Sequence, residues 1–301
     1  METIFYSGID NYLKHTINGL LFNTEILDVP VGGRESIISI FNEHLQERPG
    51  GRIEVLYSGG LDSEAVLISC NKLKIQCTAI TMRLMVNQCP INTHDLYYSE
   101  KFCRENKVEQ TFIDLDVFRF FENGEHIRYL SPYLITEPHV ATHFWLLEQC
   151  TEFPVIGGDY GWPWGNAQVI SPYRSSYCYY DKFMHDTGIA GIGNMFSHSL
   201  ESNLYLMQTH INLIREFPEL KTDYVNIPVF KQALINRLGF GNLTVRLRSY
   251  GWDNIPSVVI NKGKYQADLF KVHRGYVKNS ISWNNSVANI IGEGPRSNDK
   301  F

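Results

Sequence analysis

EVLYSGGLDSEAVL, residues 54–67, sets two consecutive glycines between an apolar, β-rich run and the start of a helical pattern. Adjacent glycines give up side-chain packing and cost backbone entropy, so their use points to an unusual turn or a close approach to the main chain. Upstream, Ile53-Glu54-Val55-Leu56-Tyr57 is short and preceded by Gly50-Gly51, which reads as a buried strand. Downstream, from Asp62 to about Lys74, residues Ala65, Val66, Ser69, Cys70 and Leu73 recur at helical spacing. Asp62 or Ser63 is suited to cap the first turn. Strand, glycine turn and helix start, in that order, make a seat for an anion on backbone N–H groups at the positive end of a helix dipole.

The alternation continues on both sides. Residues 33–46 space Ile37, Ile38, Phe41 and Leu45 as an amphipathic helix. After the glycine turn and its helix, IQCTAITMRL predicts a second strand around Cys77 to Met82, and NTHDLYYSEKFCRENK a helix starting at Asn92 or Thr93. EQTFIDLD predicts a third strand, EPHVATHFWLLEQC another helix, and FPVIGGD a short strand running into Gly157-Gly158-Asp159. Strands separated by helices of this length imply right-handed βαβ units and a mostly parallel sheet. The expected fold class is α/β: a Rossmann-like parallel sheet flanked by helices, with a mixed, mostly helical C-terminal region. Ligands of such sheets sit beyond the carboxyl ends of the strands, where both glycine stretches fall. Near residue 165 the pattern changes to an aromatic loop (SPYRSSYCYYDKF, 171–183), helices near 197–217 and 228–238, and a basic tail. The expected organisation is a lead segment and helix over 1–50, a ligand-binding domain over 51–165, and a substrate or accessory region over 166–301.

Composition bounds the function classes. The chain has 301 residues, 44% hydrophobic and 20% charged, as an ordinary globular protein does. It has no run of 18 apolar residues, and METIFYSGIDNYLKHT lacks the layout of a signal peptide, so no membrane association is expected. The six cysteines form no CxxC pair, which fits free thiols and a cytoplasmic location and argues against a zinc ribbon. Net charge is −5, yet residues 244–301 hold nine Lys/Arg against four Asp/Glu. That tail suits either a phosphate-bearing ligand or a solvated basic face. His139 and His143 lie four apart, a spacing that can hold zinc, but no convincing third ligand accompanies them and a packed or surface helix is expected. Tyr173, Tyr177, Tyr179 and Tyr180 with Arg174 suit either ring stacking or packing over the domain junction, and packing is the expectation.

The glycine turn has neither the GxxxxGK[ST] layout of a Walker loop nor the GxGxxG of a dinucleotide fingerprint. SGGLDS instead resembles the PP-loop signature of the ATP pyrophosphatase superfamily, with Ser58, Gly59, Gly60, Asp62 and Ser63 all matching. The resemblance implies ATP and magnesium as cofactors. The N–H groups of Gly59, Gly60 and Leu61 and the hydroxyls of Ser58 and Ser63 would hold pyrophosphate, and Asp62 would be a magnesium ligand and catalytic residue. It further implies attack of a substrate oxygen on the α-phosphate, then displacement of AMP by a nitrogen or sulfur nucleophile.

Over roughly residues 33–165 the wider pattern is similar to the synthetase domain of asparagine synthetases. That likeness implies that backbone groups of Ile80, Thr81 and Met82 hold adenine, that Gly157 and Gly158 serve the phosphates, and that Asp159 contacts the metal. It implies too that Lys231, in VFKQALINRLGFGN, stabilises the adenylated intermediate, with Lys262 and Lys264 as competitors. The family's second loop reads Gly-Glu-Gly-x-Asp-Glu; IGGDYGWPWG puts Gly158 and Gly161 where its acidic residues stand, leaving a displaced Asp159 as the one carboxylate. Glutamine-dependent relatives begin with a cysteine after the initiator Met, whereas Glu2 follows Met1 here. Ammonia, an amine on a small substrate, or an amine-supplying partner protein is therefore the expected nucleophile source. The expected activity is that of an AMP-forming ligase or amidotransferase-like enzyme acting on a small carboxylate or amide-type substrate. The alternatives are a nucleic-acid base modifier using the same adenylation, and a nucleotide-binding regulator without turnover.

Overall fold

The computed structural model describes residues 37–46, 48, 50–133, 138–158, 163–164, 169–170, 176–199, 202, 205–206, 209, 212–213, 215–218, 227–241 and 243. Ile37–Gln46 forms α1, whose Ile37, Ile40, Phe41 and Leu45 are buried at the spacing an amphipathic helix requires. Ile53–Leu56 forms β1, buried at every position. α2 (Leu61–Leu73), β2 (Cys77–Val86), β3 (Cys89–Pro90), α3 (Thr93–Asn106) and β4 (Glu109–Asp116) follow. Next come α4 (Val117–Glu122), α5 (Glu125–Leu130), α6 (Pro138–Gln149) and β5 (Phe153–Ile156). Two short strands, β6 (Pro163–Trp164) and β7 (Val169–Ile170), pair with each other, and α7 (Ser176–Thr187) and α8 (Ile227–Arg237) follow.

β1 pairs in parallel with β2 on one side and β5 on the other, and β2 pairs in parallel with β4. Beyond β5, Ile192 makes a parallel bridge to Val155, with Ile192 N–H on Pro154 O and Ile156 N–H on Ile192 O, both at 2.9 Å. The parallel order is therefore β4, β2, β1, β5, then the 191–194 segment. The chain winds outward from β1 through β2 and β4, then returns to the other side at β5. The order thus reverses between β1 and β5, and in such sheets the crevice at that reversal is the ligand site.

Side chains alternate between two apolar clusters, one on each face. Val55, Ala79 and Val155 pack with α1, α2, Phe196 and α8, while Leu56, Ile80 and Leu84 pack with α4, α5, α6 and α7. On the first face Phe41 sets its ring edge-on to Phe196 at 5.1 Å and lies 5.9 Å from that of Phe240, so the lead helix and late elements share one core. On the second, Phe144 of α6 stacks on Phe183 of α7 at 4.3 Å.

Three local readings are corrected. The second helix begins at Leu61 with Gly60 as its N-cap and no side-chain cap. Asp62 and Ser63 sit inside the first turn because Gly60 is already extended (φ −86°, ψ 149°) and the Ser63 hydroxyl donates to Leu56 O at 2.8 Å. The expected aromatic loop is largely helix, since Tyr180, Phe183 and Met184 at spacings of three and four give α7 a buried face. Finally, β2 runs on past Met82 to Val86 and turns through Asn87 and Gln88, both at positive φ, into β3. Two consecutive positive-φ residues are the hairpin geometry that usually calls for Asn-Gly, and Gln88 hides that signal.

Cys70, Cys77, Cys89, Cys103 and Cys150 are free thiols, and no helix among the described residues is long and apolar enough to cross a membrane.

Candidate functional site

The turn after β1 is built by backbone geometry. Tyr57 N–H still donates to Ile80 O at 2.8 Å, after which Gly59 takes φ +81°, a conformation costly for any residue with a Cβ. Gly60 then enters the helix, and Glu64 N–H makes the first helical bond to its carbonyl at 3.1 Å. The N–H groups of Leu61, Asp62 and Ser63 precede that bond, and the N-cap, a glycine, supplies no side-chain hydrogen bond to them. Gly60 is the informative glycine. Its φ of −86° suits alanine, and among the described residues a Cβ there would meet nothing closer than Ser58 Oγ at 3.8 Å. No described neighbour asks for glycine at 60.

The second glycine stretch closes on the first. A Cβ on Gly157 would stand 2.8 Å from Asp62 C, 2.8 Å from Ser63 N and 2.9 Å from Asp62 O, so the end of β5 lies directly on the first turn of α2. Gly158 takes φ +83°, and a Cβ there would overlap the Asn194 carboxamide, 2.0 Å from Oδ1. Asn194 is 1% exposed and ends the fifth parallel segment. Gly193 beside it donates its N–H to Asp181 Oδ1 at 2.9 Å. Burial pushes the Asp181 carboxyl up from 3.8 to about 7, against the downward pull of that N–H.

A third element reaches over from far along the chain. Lys231, in α8, donates through Nζ to Asp62 Oδ2 across 169 residues of sequence. The two side chains are 20% and 15% exposed, so water screens the pair only partly. Behind the turn, Tyr57 OH donates to Glu64 Oε1 at 2.6 Å, both side chains buried, and locks the strand exit to the helix start.

At the end of β2, where the resemblance implies a base, Asn92 fills the edge that β1 leaves. Its Nδ2 donates to Met82 O at 2.9 Å, and its Oδ1 accepts Leu84 N–H at 3.0 Å. One carboxamide thereby continues the ladder beyond Leu56.

The structure therefore brings together Ser58 to Ser63, Gly157, Gly158 and Lys231, with the Ile80 to Met82 edge on the adjoining strand. Ser63 keeps its hydroxyl hydrogen on Leu56 O, so within this geometry it cannot also donate to a ligand. Asp159, Tyr173, Arg174, Lys262 and Lys264 lie outside the described residues. His143 serves packing: its Nδ1 meets Tyr180 OH at 2.6 Å, and burial lowers its pKa to about 3. Among the described residues, no three His, Cys, Asp or Glu side chains gather to hold a metal unaided. The sequence marks Asn92 only as a helix start and carries no functional motif at Asn194, Glu64 or Asp181. Glu64, a carboxylate on an otherwise apolar helix face, and the glycines around Ile192 are the signals that could have marked two of these places.

No family model and no curated sequence matches the chain. Among solved structures, the chain is similar to a predicted subunit of tRNA methyltransferase from Methanocaldococcus jannaschii at 17% identity and TM-score 0.31, covering 52% of this chain and 74% of that one. It is similar to an NH3-dependent NAD synthetase from Campylobacter jejuni at 15% identity and TM-score 0.31, covering 70% and 96% respectively. It is also similar to an NMN synthetase from Francisella tularensis at 12% identity and TM-score 0.29, covering 80% and 98%. TM-scores this low do not establish a shared fold. The parallel order of the sheet and the placement of its glycine turns stand on the structure of this chain.

Proposed function

We propose that the chain is an ATP-dependent, AMP-forming ligase that activates a small carboxylate or amide-type substrate by adenylation. The observation that carries this reading is the meeting of Gly157 with the uncapped first turn of α2, at the point where the strand order reverses, under Lys231. Backbone donors, one carboxylate and one ammonium converge there. That is a donor set for a polyphosphate with a divalent cation, and magnesium bound by one or two carboxylates plus substrate phosphates fits a site with few protein ligands.

In this reading the N–H groups of Gly59 to Ser63 hold the phosphates, and Gly60 leaves room for them to approach. Magnesium–ATP supplies the leaving pyrophosphate, and donors already in place stabilise the charge that develops on it. Asp62 directs the metal, and Lys231 serves the reacting phosphate. Ile80 O and Met82 O are already engaged, so Met82 N–H on the same edge is assigned to the base. Asp159 is assigned a water-mediated metal contact. The test is product analysis with ATP, magnesium and pools of small carboxylates, amines and nucleic acids. AMP with pyrophosphate is expected; ADP with free phosphate as the main products would overturn the reading. ATP binding without pyrophosphate release from any pool would make the chain a regulator.

A further inference from the structure

Asp62 is the carboxylate that the proposed reaction assigns to a divalent cation, yet in this structure its Oδ2 holds the Lys231 ammonium. We propose that Lys231 is a resident occupant of the cation position at Asp62, evicted when metal and nucleotide arrive together and transferred onto the phosphate chain. The inference rests on the functional reading above for the identity of the incoming ligand. The competition itself rests on the ion pair alone.

The surroundings make the pair a built feature. Asp62 is backed by the Gly157 main chain and belongs to a helix turn held by buried Leu61, Ala65 and Val66. Lys231 follows Phe230, which is 0% exposed, as are Leu234 and Ile235 on the same helix. Both backbones are thus anchored in one core, and the movable part is the four-carbon lysine stem. A divalent cation ligated by that oxygen and an ammonium held on it repel each other at close range, so the two compete for Asp62.

A metal ion arriving alone must evict an ammonium from a partly buried pair and offers it no new anion. Metal with nucleotide brings a cation for Asp62 and phosphate oxygens for Lys231 in one event. The exchange keeps every charge matched, so the pair disfavours loading by metal alone and couples metal binding to nucleotide binding.

Manganese read by electron paramagnetic resonance serves as the probe, on the full chain, for the parent, Lys231→Met and Lys231→Arg. Lys231→Met is expected to bind manganese alone on the order of tenfold more tightly than the parent, since a partly buried competing charge is removed. Lys231→Arg should stay near the parent. Addition of ATP should tighten manganese binding by a larger factor in the parent than in Lys231→Met. Equal or weaker manganese binding by Lys231→Met overturns the exchange, whatever ATP does. Failure of the parent to bind ATP would instead sink the functional reading and leave the manganese comparison to decide the competition. Should Lys231→Met not fold, acetylation of Lys231 in the parent, read by mass spectrometry, gives the answer. Manganese alone should speed it severalfold, and an unchanged rate overturns the proposal.

Discussion

Replacing Gly157 by alanine tests the contact on which the site is assembled. The new Cβ would lie 2.8 Å from Asp62 C and Ser63 N and 2.9 Å from Asp62 O. Ordinary carbon contacts begin well beyond that, so the first turn of α2 and the end of β5 must part by about half an ångström. Neither side yields easily, because both neighbours are main chain, β5 being hydrogen-bonded to β1 and α2 packed by buried Ala65 and Val66. Overpacking of this kind costs roughly 1–3 kcal/mol, and the upper end applies where no flexible side chain can give way. A shift of that size in the donors should also weaken ATP–magnesium binding by about tenfold, by analogy with the roughly hundredfold cost of a 1 Å misplacement. Urea unfolding followed by circular dichroism should show a lower midpoint at unchanged slope, and calorimetry the weaker binding. Gly60→Ala is the counterpart. Its φ of −86° and the 3.8 Å gap to Ser58 Oγ leave the fold nearly untouched, within about 1 kcal/mol for the altered cap, while the methyl group stands where phosphate should approach. ATP binding should fall with little loss of stability. If Gly157→Ala melts and binds as the parent does, the apposition of the two turns is wrong.

Asp181 gives a pH signature. Burial raises its pKa from 3.8 to about 7, so between those values the folded chain holds a proton that the unfolded chain releases. Its contribution to stability therefore declines as pH rises through that window and levels off above it; Asp181→Asn should gain up to a few kcal/mol relative to the parent at pH 8 and little at pH 4, read from urea midpoints. His143 works in the opposite sense, since its pKa falls from 6.5 to about 3 and stability is lost as pH drops through that range; His143→Gln should flatten the acid limb of the same curve. Asn92→Ala should cost about 1–3 kcal/mol by stranding Met82 O and Leu84 N–H, and parent-like stability would show that water replaces the carboxamide. Asp159→Asn should lower turnover far more than ATP binding once a substrate is in hand, because a metal contact matters most as charge builds on the leaving group; unchanged turnover would make that loop structural.

Features that depend on near neighbours can be read directly along the chain. The β-rich run 53–56, the helical spacing after it and the two glycines were legible because period and φ preference are local properties. The same holds for EQTFIDLD, which forms β4 over its whole length, and for the buried face of α1. Together these implied a parallel α/β sheet with glycine turns at its carboxyl edge, and the structure has that sheet. Local reading failed where two signals competed. Asp62 and Ser63 are good caps by type, but an extended Gly60 took the position, and a tyrosine-rich stretch that reads as loop turned helical once Phe144 offered Phe183 a surface. The tertiary structure alone decided who meets whom. Nothing in the residues near Asp62 says that Lys231 will face it, that Gly157 will press on its backbone, or that Asn92 will finish the edge of β2. These contacts join parts of the chain up to 169 residues apart, and they follow from the order in which the strands pair and the cores on either face fill. Strand order is a balance of loop closure and burial over the whole chain, so no short window of sequence contains it.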